Sequence, residues 1–238
     1  MRLALALVCA LVGSASADRR MFTYTFEYRT LAEGHTTLSL WHTETRDDLG
    51  GDGAQRLEHI LEVEHGITEH WDAGVLLAFD QVHAPDPLAE QSLSFHEVRL
   101  QNRYRFADRS EWPVDLQLQL DASKHFGASA YDLELRAVIA RDVDKVTVAL
   151  NVLGLASIGK DVPDTYDLGW AGGATYELHP KLNAGVETFG AFDSSQASVG
   201  PALALAPSSK LWLTLTAAFG LTDETPELAA RAILGIEL

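Results

Sequence analysis

Cysteine is all but absent: Cys9 is the only one in 238 residues. It lies in a leader-like segment, so the chain beyond it can form no disulfide and no cysteine-based metal site. Basic residues are scarce, with 18 Lys and Arg against 34 Asp and Glu and a net charge of −16. A surface of that sign repels a phosphate backbone, and no nucleic-acid partner is expected. The apolar run near the start, Leu3 to Val12, is too short to span a bilayer as a helix. Pro- or Ser-rich linkers, charge blocks and composition shifts are also missing, so nothing marks a domain boundary, and a single β-barrel domain accommodates this length.

What is present at the start is MRLALALVCALVGSASA, residues 1–17, with one charge at Arg2, an apolar stretch and small residues ending in Ala15-Ser16-Ala17. That is the pattern of a secretory signal peptide cleaved after Ala17. Val8 stands where a lipoprotein site at Cys9 would need a small residue, which argues against a lipid anchor. Removing Arg2 leaves 17 basic against 34 acidic residues. An exported, cysteine-free chain of this size fits the envelope of a Gram-negative bacterium.

Beyond the leader, segment after segment carries about ten residues of period-two alternation, the pattern of a strand with two unlike faces. In PVDLQLQLDAS, Val114, Leu116, Leu118, Leu120 and Ala122 fall opposite Asp115, Gln117, Gln119 and Asp121. In AYDLELRAVIA, Tyr131, Leu133, Leu135, Ala137 and Ile139 oppose Asp132, Glu134 and Arg136. In HEVRLQNRYRF, Val98, Leu100, Tyr104 and Phe106 oppose Glu97, Arg99, Gln101, Arg103 and Arg105. TYDLGWAGGATYEL places the small residues Gly169, Ala171, Gly173 and Thr175 on one face, and Val146 to Leu155 is apolar on both. Asn102 and His59 fall on faces that are otherwise apolar.

The breaks alternate in kind. Tight, charged ones (Thr68 to His70, Ala107 to Glu111, Arg141 to Asp144, His179 to Lys181, Pro207 to Lys210) alternate with more variable ones such as Asp47 to Ala54, Val82 to Gln91 and Ile158 to Asp164. Short turns at one end and longer loops at the other characterise a transmembrane barrel. Segments starting near residues 35, 56, 71, 92, 113, 130, 145, 165, 181, 197, 210 and 227 give about twelve strands, an even number as single-chain bacterial barrels require. The expected fold is all-β: an antiparallel up-and-down barrel over residues 35–238, with the tight turns and both chain ends in the periplasm. Counting MFTYTFEYRT, residues 21–30, as a strand would make the number odd, so residues 18–34 are read as a periplasmic lead-in.

A soluble periplasmic binding barrel or sandwich also alternates. Three features favour a lipid-facing wall. Aromatic residues gather at strand ends: Trp71, Tyr104, Phe106, Trp112 and Tyr176 near the tight turns, and Phe79, Tyr131, Tyr166 and Phe192 near the other rim, as in paired membrane girdles. The polar faces are too polar for a packed soluble core. The chain ends in an alternating strand, ELAARAILGIEL, similar to the terminal signal read by the barrel-assembly machinery, although Leu238 stands where an aromatic is usual.

TFEYRTLAEGHTTLSLWHTETR, LEVEHGITEHWDAGVLL, LQNRYRFADRSEWPVDLQLQLD and YELHPKLNAGVETFG resemble transporter-like outer-membrane barrels related to the phenol-degradation meta-pathway outer-membrane protein. The resemblance spans most of the chain after the leader and is most specific at Glu64 to Trp71 and Tyr176 to Gly185. It implies a barrel in contact with outer-membrane lipid, serving as a channel for small organic molecules. It assigns no functional residue.

The candidate lumen residues are Arg99, Arg103 and Arg105 with Glu97, and, as carboxylates on nearby strands, Asp115, Asp121, Asp132, Glu134, Glu58, Glu62 and Glu64. Such rows either line a selective pore or fill a narrow lumen with mutually neutralising pairs. His59, His65 and His70 flank Glu62 and Glu64, but in a strand His59 and His65 point away from the glutamates, so no metal site is expected. A helical reading of LEHILEVEH is a local rival that fails to extend past the turn into WDAGVLLAF. Ser123 and His125, with His96 on the neighbouring strand, are the residues a lipid hydrolase would use. No phosphate loop, dinucleotide fingerprint or zincin motif appears, and no cofactor is expected. The reading is thus a passive channel or transporter for a small solute, with a soluble binding protein and an outer-membrane hydrolase as rivals.

Overall fold

The computed structural model describes residues 20–50, 53–84, 86, 88–126, 130–159 and 163–238; the leader and its cleavage site lie outside them. Twelve strands follow one another along the chain: β1 (Thr36–Arg46), β2 (Gln55–Thr68), β3 (Trp71–His83), β4 (Gln91–Arg105), β5 (Asp115–His125), β6 (Ala130–Val143), β7 (Val146–Gly159), β8 (Thr165–His179), β9 (Leu182–Ala191), β10 (Ala197–Leu205), β11 (Leu211–Gly220) and β12 (Leu228–Glu237). Each starts within two residues of the position expected from the alternation. Each pairs antiparallel with its sequence neighbours, and β1 pairs with β12, so the sheet closes and leaves no open edge. The segment LEHILEVEH belongs to β2 and is not helical.

Polarity is inverted relative to a soluble protein. On β4 the outward Leu100 is 55% exposed, whereas the inward Gln101 and Arg103 are each 2% exposed. On β5 Leu118 and Leu120 are exposed while Asp115, Gln117, Gln119 and Asp121 are buried. Val63, Val75, Leu133, Leu135, Leu150, Val152 and Val186 extend the exposed aliphatic band around the wall. So long a ring of exposed aliphatic side chains around a polar interior suits hydrocarbon and not water. The rival soluble barrel would need the opposite distribution.

The tight-turn rim holds the two-residue connections Glu69-His70, Asp144-Lys145 and Pro180-Lys181. At Asp144 the backbone takes φ 52°, a left-handed conformation that Asp tolerates in turns. One connection at this rim, between β4 and β5, is longer than expected because β5 begins only at Asp115.

The reading of residues 18–34 as a lead-in outside the barrel is corrected for 20–31. These residues form no strand, yet Arg20, Phe22, Thr23, Thr25, Glu27, Tyr28, Arg29, Thr30 and Leu31 are buried. They lie in the lumen as a loop: Thr30 and Leu31 bond Glu69 O and Asp72 at the tight-turn rim, Thr23 to Thr25 form the tip against Glu187, and Arg20 reaches back to Glu62 and Glu64. Alternation in MFTYTFEYRT therefore does not report a wall strand; β12 already occupies the free edge of β1, and the aromatics of this segment pack inside.

The aliphatic outer band sets a depth-dependent stability test. Val152→Arg, near the middle of β7, should lower unfolding stability by about 2–4 kcal/mol, and Leu178→Arg, at the tight-turn rim, by about 0–1 kcal/mol. Denaturant titration of the barrel in phospholipid vesicles measures both; equal costs at the two depths would contradict a membrane-spanning wall.

Candidate functional site

The site is the lumen, and its centre is the loop of residues 20–31. A segment without strand partners must satisfy its backbone elsewhere, and here wall side chains do so. Glu187, buried in mid-β9, accepts the N–H groups of Thr23 (3.1 Å), Tyr24 (2.6 Å) and Thr25 and the hydroxyls of Thr23 (3.1 Å) and Thr216 (2.6 Å). Asn151 clamps Phe26 from both sides, accepting its N–H at 2.6 Å and donating to its carbonyl at 2.8 Å. Gln117 accepts Arg29 N–H (2.9 Å), and Asp72 accepts Leu31 N–H (2.7 Å). The loop also closes on itself, Glu27 accepting Met21 N–H at 3.0 Å.

Its side chains fit the wall as closely. A Cβ on Gly173 would collide with the Phe22 ring, so the small inward face of β8 is the space that Phe22 fills. Tyr24 stacks on Phe189 with centroids 3.9 Å apart, and the Arg231 guanidinium lies 4.2 Å from the Tyr24 ring. Phe26 is flanked by Arg20 (4.8 Å) and Arg136 (4.4 Å). At the rim the long β4–β5 connection folds over the loop: Ala107 O accepts the Tyr28 hydroxyl, and Arg109 donates to Tyr28 O.

The candidate lumen residues divide into three groups. Glu62, Glu64 and Arg103 join Asp72 and the loop's Arg20 and Arg29 in a buried cluster. Arg103 grips Asp72 through two bonds (2.8 and 2.9 Å) and also meets Glu64; Arg20 reaches Glu62 (3.1 Å) and Glu64 (3.2 Å); Arg29 lies 3.6 Å from Glu64. Trp41 Nε1 donates to Glu62 at 3.0 Å. Nearer the long-loop rim, Glu97 binds Arg99 (2.8 Å) and Ser123 (2.9 Å), Asp132 binds His125 (2.8 Å), Glu134 binds Arg136 (2.8 Å), and Glu58 lies 3.7 Å from Arg231. Asp121 accepts from Gln119 at 2.9 Å.

The remaining two residues stand at the tight-turn rim. Asp115 caps the β4–β5 connection by accepting Ser110 N–H at 2.6 Å, and Arg105 donates to Glu69 O. Among the three arginines, Arg103 pairs across the sheet with Asp72 on β3 and meets Glu64 on β2, whereas Arg99 pairs with Glu97 along its own strand.

Above the loop tip a cavity of about 340 Å³ opens toward the long-loop rim, with Tyr24, Phe189 and Arg231 at its base and Glu58, Asp80 and His96 on its walls. Asp72, Glu187, Asn151 and Arg231, with the loop's Arg20 and Arg29, are not among the residues that the sequence pattern singles out. Glu187 and Asn151 stand out only as isolated polar residues inside segments that are otherwise apolar or small.

Outward-facing aromatics occupy both rims. Tyr104 and Phe106 meet edge to face at 5.5 Å, and Phe106 stacks with Trp112 at 6.5 Å. Trp71 and Tyr176 are exposed at the same rim, and Tyr131, Tyr166 and Phe192 are exposed toward the other. Phe79 contacts Phe95 at 5.3 Å, and Phe95 in turn contacts Phe126 at 4.9 Å. His59, the polar misfit of the outer face, pairs with His42 across β1–β2, their Nδ1 atoms 3.2 Å apart. Each imidazole thus finds its hydrogen bond where lipid offers none. His65 bonds Thr36 (2.8 Å) and His70 bonds Asp108 (3.1 Å), so these histidines diverge. Ser123 donates to Glu97 and His125 Nε2 engages Asp132, so each of the two has a carboxylate rather than the other as its hydrogen-bond partner.

No protein-family model matches the chain, and no curated protein matches its sequence. Solved structures match its fold. An outer-membrane channel from Pseudomonas putida F1 aligns with a TM-score of 0.73 at 12% identity, over 91% of this chain and 100% of that one. The KdgM porin in complex with disordered oligogalacturonate aligns with a TM-score of 0.58 at 12% identity, over 84% and 97%. The translocator domain of the autotransporter NalP from Neisseria meningitidis aligns with a TM-score of 0.53 at 11% identity, over 88% and 90%. The chain is a closed twelve-stranded antiparallel barrel with the architecture of outer-membrane channels.

Proposed function

We propose that the protein is an outer-membrane channel for a small solute, held closed by residues 20–31 and entered from the cavity at its long-loop end. The observation that carries this reading is the loop itself. It fills the lumen without belonging to the wall, and side chains rather than strand pairing hold it. Bonds of that kind can be exchanged for water one at a time, whereas a wall strand leaves only by opening the barrel. The likeness in fold to channels supports the same reading, and the long-loop end faces the exterior if the tight turns are periplasmic.

Electrostatics explain why the closed arrangement is stable. In the buried cluster Glu62, Glu64 and Asp72 face Arg20, Arg29 and Arg103, and two of those three cations come from the loop. With the loop gone the wall retains three carboxylates against one guanidinium. Uncompensated buried charge is costly, so withdrawal must admit water and counterions to the lumen. An opened lumen is therefore lined with negative charge and favours cations.

Two outcomes follow in planar bilayers. Deleting residues 20–31 should turn a mostly closed trace into a steady conductance with cation preference; an unchanged trace would count against the loop as the closure. Glu187→Gln keeps the shape but turns one of two accepting oxygens into an NH2 donor, so the loop groups on that side lose their acceptor and those on the other keep neutral bonds about half as strong. It should give brief openings and faster hydrogen exchange at the amides of Thr23, Tyr24 and Thr25, and unchanged exchange would show that Glu187 does not hold the tip.

A further inference from the structure

The wall of the outer cavity carries a second constellation that the channel reading does not use. His96 and Glu97 are consecutive, so a regular strand would send them to opposite faces. A β-bulge prevents this: Ala78 pairs with Glu97 and Phe79 with Phe95, leaving His96 as the extra residue. The bulge turns both side chains inward, while Phe95 stays outside. Across the β4–β5 pairing, His125 stands directly opposite Glu97.

The three side chains converge. Glu97 Oε2 lies 3.9 Å from His96 Nε2 and 3.9 Å from His125 Nδ1, and one ligand atom from each residue falls within 4.8 Å of the others. The second oxygen of Glu97 is already engaged by Arg99 and Ser123, which fixes the carboxylate with Oε2 toward the histidines. Each imidazole has a carboxylate behind it. His125 Nε2 bonds Asp132 at 2.8 Å, and His96 Nδ1 lies 3.7 Å from Asp80. His96 Nδ1 is buried without a hydrogen bond. A metal-bound histidine characteristically presents one ring nitrogen to the ion and the other to a carboxylate.

From this arrangement we infer that His96, Glu97 and His125 form a binding site for a divalent late transition metal, with Asp80 and Asp132 as the carboxylates that orient the two histidines. Two imidazoles and one carboxylate oxygen suit Zn²⁺, Cu²⁺ or Ni²⁺ and leave one coordination position open. Tetrahedral ligands on zinc lie about 3.3 Å apart, so rotations of two side chains close the observed separations. Glu97, Asp80 and Asp132 against Arg99 leave a local excess of negative charge, which favours a dication. Because His96 lines the outer cavity, the open position faces that cavity, where water or a donor group on a solute completes the shell. The inference holds whether or not the barrel conducts.

Isothermal titration of the full-length refolded barrel in detergent with ZnCl₂ tests it. One Zn²⁺ should bind per barrel, His96→Ala and His125→Ala should each weaken binding at least tenfold, and Asp132→Asn should weaken it roughly ten- to a hundredfold. His42→Ala and His59→Ala, on the outer face, should leave it unchanged. Cu²⁺ in the same barrel should show nitrogen couplings from two imidazoles by electron paramagnetic resonance, and from one in His125→Ala. Heat-modifiable migration on gels certifies that each variant is folded, and Asp132→Asn serves should the histidine variants fail that check. Absence of saturable binding in the folded parent would overturn the proposal. So would binding insensitive to the changes at His96, His125 and Asp132, or binding lost with His42 or His59 instead.

Discussion

A single carboxylate in the middle of the wall, Glu187, takes three consecutive backbone N–H groups from a segment that belongs to no strand. The rest of the interior follows from that need. A peptide inside a lumen shielded from bulk water must find a partner for each amide, and a barrel already closed between β1 and β12 has no ladder to spare. Polar side chains on the inner wall, Glu187, Asn151, Gln117 and Asp72, stand in for the missing strand. The alternation of the segment then finds a second use: its aromatics go to small or cationic wall positions, and its polar residues go to hydrogen bonds.

That arrangement links the two halves of the inner wall, which differ in composition. The strands from β2 to β6 are rich in inward charge, and those from β7 to β11 carry Gly, Ala and Thr inside. Phe22 occupies the space over Gly173, while Arg20 and Arg29 reach the carboxylates on the charged side. A lumen with charges on one side and small residues on the other is unbalanced in charge and volume when empty. The loop supplies both the missing cations and the missing bulk.

The wall was legible in the sequence because each residue's face follows from parity, and lipid on one side and polar groups on the other make the parity visible over ten residues. Twelve strand starts and the inward set from Glu97 to Arg105 could be read this way. The occupant of the lumen could not, because MFTYTFEYRT alternates for the same reason a strand does: two unlike environments flank it. Odd parity excluded it from the wall but said nothing about where it goes instead. Pairings also escaped, since Arg103 selects Asp72 through cross-strand geometry that depends on register. The inward turn of His96 beside Glu97 was hidden by the bulge, which breaks the parity rule on which the strand faces were assigned.

The bulge and the loop tip together define what the outer cavity presents to a solute. At its base the Tyr24–Phe189 stack and Arg231 offer a flat apolar face beside a cation. On its wall His96 and Asp80 offer nitrogen and oxygen donors. Only the base depends on the loop, because Tyr24 belongs to it and is placed by its neighbours' bonds to Glu187. A solute that binds the base therefore contacts a residue that moves when the loop leaves, whereas one held on the wall does not. Differential affinity for two states is what lets a ligand shift an equilibrium, so under the proposed closure a solute would favour opening by engaging the base, Tyr24 or the Arg231 guanidinium that also donates to Thr23 O, rather than the wall donors.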